Sequence, residues 1–171
     1  LYWDIDYLFG EVKKAIAMAT AEHDIDSIGV DTWGVDFGLL GADGELLELP
    51  RSYRDPHSQG AVEKVGQLLD LKALYQGTGN QLMPINTLFQ LYITKLESPE
   101  LFAKAQKFLF MPDLFTYLLT GEVFAERSIA STAQMVEPRR NEWNTDVLLP
   151  LGIPERILPP LVDAKHLAGY T

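Results

Sequence analysis

Residues 30–38 read VDTWGVDFG, with Asp31 and Asp36 on either side of a Trp33-Gly34 pair and a short apolar run just before. In open α/β sheets ligands collect where strands end and loops diverge. A strand ending here would offer carboxylate acceptors for hydroxyl hydrogens and an indole face for C–H groups. At Gly34 it would also offer main chain that a ligand can approach with no Cβ in the way. Those are the requirements of a sugar. The same residues also serve a structural end, with Asp31 bonding local backbone, Trp33 filling core and Gly34 turning the chain. Residue type and spacing leave both readings open.

Most other chemistry is excluded by what the chain lacks. GTGNQL at Gly77–Leu82 starts like a dinucleotide fingerprint but has no third glycine and follows a helical pattern, where a strand is required. No GxxxxGK[ST] phosphate loop and no GxSxG nucleophile elbow occur. His23, His57 and His166 are far apart, and none has a neighbour at metal-ligand spacing. Paired-carboxylate glycosidase chemistry cannot be assigned from sequence spacing. The 14 basic and 24 acidic residues give a net charge of −10, which argues against binding a nucleic-acid backbone. No apolar run approaches the roughly eighteen residues of a membrane span. There is no cysteine, so there is neither a disulfide nor a thiolate metal site. That absence, with the absence of Asn-x-Ser/Thr acceptors, accords with a cytoplasmic setting.

Alternating helical and strand patterns must position the WGVD corner. Asp4 or Asp6 caps a helix running to about Ala21, with Leu8, Val12, Ala15 or Ile16, and Ala19 at helical spacing. Ile25–Thr32 reads as a short β-branched strand covered by that helix. Asp43-Gly44 between Phe37–Leu40 and Leu46–Leu49 is a hairpin signal. Glu63–Leu69 and Leu71–Tyr75 read as short helices ended by Gly77 and Gly79. A third helix covers Thr87–Leu96, and Ser98-Pro99 opens a fourth. KFLFMP reads as a short buried strand, and the segment from Pro112 to Gly121 as a helix that Asp113 caps. A polar stretch, ERSIASTAQ, a turn at EPRRNEWN and a Pro-punctuated helical turn follow.

The blocks IDSIGVDTWGVDFGLL, LPRSYRD, MPINTLFQL, FMPDLFTYLLTGE and IASTAQMVEPRRNEWN resemble, in order and spacing, landmarks of the FGGY carbohydrate kinases. Within that family they sit nearest the kinases that phosphorylate L-rhamnulose with ATP and Mg²⁺. The resemblance implies an actin-like (RNase H-like) α/β fold of two domains, with residues 1–171 making up most of the N-terminal one. The family's opening phosphate-binding hairpin is expected before Leu1. Its ATP-binding domain and its catalytic Asp are expected beyond Thr171, so no catalytic residue is assigned here. Gly34 matches the glycine that contacts the ketose, and Trp33 and Asp36 flank it. Tyr53, Arg54, Asn86 and Gln90 fall in segments that relatives place on the sugar side. Arg127, Ser128 and Thr132 match a polar family stretch with a structural role. The implied partner is a small ketose, with no nucleic acid and no membrane, and self-association is expected at an uncovered sheet edge. A sister kinase for fuculose or xylulose and a sugar-binding relative without transfer activity stay open as alternatives.

Overall fold

The computed structural model describes residues 1–170. In chain order its elements are α1 (Ile5–Glu22), β1 (Phe37–Leu40), α2 (Ala61–Gly66), α3 (Leu71–Thr78), α4 (Thr87–Glu97), α5 (Pro99–Lys104), β2 (Lys107–Phe110), α6 (Met111–Thr120), β3 (Ala125–Glu126), α7 (Arg127–Ala130), β4 (Val136–Glu137), β5 (Glu142–Trp143), α8 (Thr145–Leu148) and β6 (Leu161–Val162). β1 and β2 form an antiparallel ribbon with Phe37 opposite Phe110 and Leu40 opposite Lys107. Side chains alternate between the faces of a strand. Leu39, Phe108 and Phe110 therefore enter one apolar cluster, and Leu40 and Leu109 enter another. The ribbon is buried on both faces, which is why Phe-Leu-Phe is continuously apolar rather than alternating.

The first cluster is built on α4, where every residue from Thr87 to Thr94 is buried. The second lies between the ribbon, α1 and α6. Asp4 opens α1, its carboxylate accepting the Tyr7 N–H at 2.9 Å, and Ile5, Leu8, Phe9 and Val12 then fall on the packed face. β3 pairs with β6 in parallel and β4 with β5 antiparallel. No helix among the described residues is long and apolar enough to cross a membrane.

Three expectations change. The strand over Ile25–Thr32 does not form: residues 24–33 carry no regular structure, and Ile25 and Ile28 are 44% and 43% exposed. β-branched composition makes a strand only where a neighbour supplies the ladder. Among the described residues no backbone hydrogen bond joins this segment to another strand. The Asp43-Gly44 turn forms, but its second arm contributes only a Leu40–Leu46 bridge. The arm then leaves β1, because the Pro50 carbonyl accepts the Trp3 N–H at 2.9 Å and Arg51 bridges to Tyr2. α3 runs through Gly77 and stops at Gly79, the position with positive φ (+73°).

Gly121 closes α6 with φ +79° and open space where a Cβ would stand. Gly121→Ala thus meets a backbone cost without a clash. It is expected to lower the unfolding free energy by about 1 kcal/mol at unchanged m-value in urea titrations.

Candidate functional site

The WGVD corner is a γ-turn. The Asp36 N–H donates to the Gly34 carbonyl at 2.9 Å across Val35, whose φ is +68°. γ-Turns of positive φ are strained, and in a β-branched residue the conformation costs about 1–3 kcal/mol. Two side chains from the opening turn of α4 hold it. Thr87 Oγ1 donates to the Val35 carbonyl at 2.9 Å, and Gln90 Nε2 shares its two hydrogens among the Ile85 carbonyl (2.7 Å), Asp36 Oδ1 (3.1 Å) and the Val35 carbonyl (3.2 Å). The corner stands at the start of β1, not at the carboxyl end of a preceding strand. The Asp36 carbonyl accepts the Met111 N–H at 3.3 Å, which ties the corner to the first residue of α6.

Asp36 is 1% exposed and its carboxylate is fully engaged. Oδ2 accepts from both Trp3 Nε1 (2.7 Å) and Trp33 Nε1 (3.0 Å), and Oδ1 accepts from Gln90 Nε2 (3.1 Å). The two indoles lie with ring centroids 4.2 Å apart, tilted by 38°. A buried carboxylate is tolerable only with donors of this kind around it. Asp36 is therefore occupied in holding the corner, while Gly34 and Trp33 remain half-buried at its surface. Asp31 is exposed and takes no part.

Gly34 needs no special conformation, and an added Cβ would find only Ile129 Cδ1, at an ordinary 3.6 Å. Gly38 differs: a Cβ there would lie 2.8 Å from Leu46 Cδ2 and 3.2 Å from Leu114 Cδ2. Packing explains Gly38. Neither packing nor φ explains Gly34.

Asn86 precedes α4 but does not cap it with its side chain. Its Nδ2 donates to the Gln81 carbonyl at 2.7 Å and to Gln134 Oε1 at 3.0 Å. Tyr53 and Arg54 bond to each other, Arg54 Nε donating to Tyr53 Oη at 3.2 Å, and no hydrogen bond joins them to Asp36. The structure thus unites Trp33, Gly34, Asp36 and Gln90, sets Asn86 one helical turn from Gln90, and leaves Tyr53 and Arg54 outside the network. Trp3, Val35, Thr87 and Gln134 were not among the sequence candidates. Thr87 and Gln90 are a helical i, i+3 pair, the one local signal that could have found Thr87.

A cavity of about 560 Å³ lies between α3 and the β4–β5 hairpin, lined by residues that include Asp70, Thr78, Arg139 and Trp143. None of the sequence candidates lines it. A void of about 10 Å³ lies beneath Gln90 among Phe37, His57 and Thr94, room for about one water. Among the described residues no three His, Cys, Asp or Glu side chains converge on a metal position.

Asp113 does not cap α6, whose N-cap position is Phe110. It is 3% exposed, and its Oδ1 accepts the Glu126 N–H at 3.2 Å. Its Oδ2 has no partner. Burial pushes its carboxyl up to about 7, the Glu126 N–H pulling the other way and the Glu126 charge adding to the rise. Glu126 caps α7 through the Ser128 and Ile129 amides. Arg127 pairs with Asp163 at 2.8 Å and Thr132 Oγ1 donates to the Ile129 carbonyl at 2.7 Å, so that stretch is knitted together locally.

Folded Asp113 holds a proton that the unfolded chain has already released between the ordinary carboxylate range and about 7. Its contribution to stability is present at low pH and falls as pH rises through that window. Asp113→Asn keeps an acceptor for Glu126 and removes the titration. The variant's unfolding free energy relative to wild type is expected to rise from pH 5 to pH 8, read from urea titrations at both.

The sequence model of the FGGY family of carbohydrate kinases, N-terminal domain, matches residues 1–171. The chain is 42% identical over 155 residues to the rhamnulokinase of Bacteroides thetaiotaomicron, covering 90% of this chain and 32% of that protein. It is 38% identical over 169 residues to the rhamnulokinase of Yersinia pestis, covering 98% and 35%. A ligand-bound xylulose kinase structure from Lactobacillus acidophilus superposes with a TM-score of 0.86 at 23% identity, covering 94% of this chain and 33% of that one, a likeness of fold. The chain spans about a third of the length of the curated relatives it matches.

Proposed function

The chain belongs to the FGGY family of carbohydrate kinases, and we propose that the full-length gene product transfers the γ-phosphoryl group of ATP to L-rhamnulose, giving L-rhamnulose 1-phosphate. Residues 1–171 form the ketose side of that reaction, in the cytoplasm. The name of the relatives supports the substrate. The observation that carries the site is the turn held by buried hydrogen bonds on which Gly34 sits; Gly10, Gly29 and Gly77 are likewise unexplained by conformation or packing, and none of them stands on that turn.

Phosphoryl transfer asks little covalent work of a protein. It asks for one hydroxyl held in line with the phosphate and for water kept out. Gly34 lets the ketose lie against the main chain, and Trp33 supplies an apolar face beside it. Asp36 and Gln90 act beneath them, fixing the indole and the turn rather than touching sugar. Asn86 stiffens the loop before α4, and Tyr53 and Arg54, which bond to each other, stay outside the hydrogen-bonded network. Proton acceptance is assigned to no residue here, since Asp36 is committed to its donors and Asp113 is buried. ATP supplies the phosphoryl group with a divalent metal.

A coupled ADP-release assay of the full-length gene product tests this against L-rhamnulose, L-fuculose and D-xylulose, with L-rhamnulose expected to give the highest kcat/KM. Gly34→Ala is expected to keep unfolding free energy within about 0.5 kcal/mol while raising the ketose KM about tenfold. The isolated 171-residue chain is expected to show no turnover. Preference for another ketose would overturn the substrate, and an unaltered ketose KM in Gly34→Ala would overturn the site.

A further inference from the structure

We infer that Trp3 is a positioning residue that clamps Trp33 as a one-sided platform, so that the ketose is held there through a face of C–H groups and not through the indole N–H. The inference rests on the kinase reading of this corner. Trp33 has two ways to meet a sugar, its N–H and its ring faces. The N–H is already given to Asp36 Oδ2 at 3.0 Å. One ring face is covered by Trp3 at 4.2 Å between centroids. What remains is the part of the ring left uncovered on a half-buried residue next to Gly34, which also packs against the α1–α6 cluster. Trp3 is fixed by the shorter of the two indole bonds to the same oxygen, 2.7 Å, and by its backbone N–H on the Pro50 carbonyl at 2.9 Å. It is anchored to two separate segments before it touches Trp33. A carboxylate oxygen that accepts two indole N–H groups sets the angle between the rings. The uncovered part of Trp33 is therefore oriented before any ligand arrives, and less conformational freedom is lost on binding. A ketose suits such a face on the side where its C–H groups line up, and its hydroxyls then turn toward the polar main chain at Gly34.

The test uses Trp3→Phe in the full-length gene product, which keeps an aromatic ring and removes the N–H. The ketose KM is expected to rise about fivefold with the ATP KM unchanged. An unchanged ketose KM, or ketose and ATP constants rising together, overturns the proposal. Indole N–H exchange followed by NMR, with the Trp33 signal assigned by its loss in Trp33→Phe, gives a readout that needs no activity. Trp33 Nε1–H is expected to be protected in wild type and to exchange faster in Trp3→Phe. Rapid exchange in wild type, or unaltered exchange in the variant, overturns the clamp even if Trp3→Phe folds poorly. If no ketose is phosphorylated, the kinase reading falls and the exchange pattern alone decides the clamp.

Discussion

The corner at residues 33–36 depends on one buried charge. The Asp36 carboxylate gathers two indole N–H groups and an amide, one from its own corner and two from distant parts of the chain, the residue preceding the α1 cap and the opening turn of α4. Hydrogen bonds to an ionised acceptor contribute more than neutral ones, roughly 1.5–3 kcal/mol each. Removing the carboxylate would leave both indoles without a buried acceptor, so its loss reaches further than its own bonds.

The strain at Val35 shows where that stabilisation is used. A β-branched residue at φ +68° persists only when its surroundings over-determine it. Thr87 and Gln90 hold the carbonyl of Val35, Asp36 holds Gln90, and the Met111 amide holds the carbonyl of Asp36. The unfavourable turn has the half-buried Gly34 as its first residue, and its cost is offset by α4, the most completely buried helix of the fold.

How far this was legible in the sequence follows from how local each signal is. Helix starts at Asp4 and Pro99, the stop at Gly121 and the buried KFLF strand depend on neighbouring residues, and they form where expected. The Ile25–Thr32 strand depends on a partner, which composition does not reveal, and it does not form among the described residues. Trp33, Gly34 and Asp36 stood out because they are adjacent in sequence, and Gln90 entered only through the family resemblance. Trp3 completes the cluster across 33 residues, and no short-range pattern announces such a bond. The sequence also suggested that Asp36 would face a ligand. Instead its oxygens are taken, because a carboxylate this buried must find donors within the protein.

The β1–β2 ribbon divides the interior, and the corner is fastened to both sides of that partition. Through Gln90 it is tied to the α4 side, and through Met111 and Trp3 to the α1–α6 side. A surface tethered to both halves of an interior behaves as an anvil. A load placed on it is shared by two packed clusters, and it shifts only if both do.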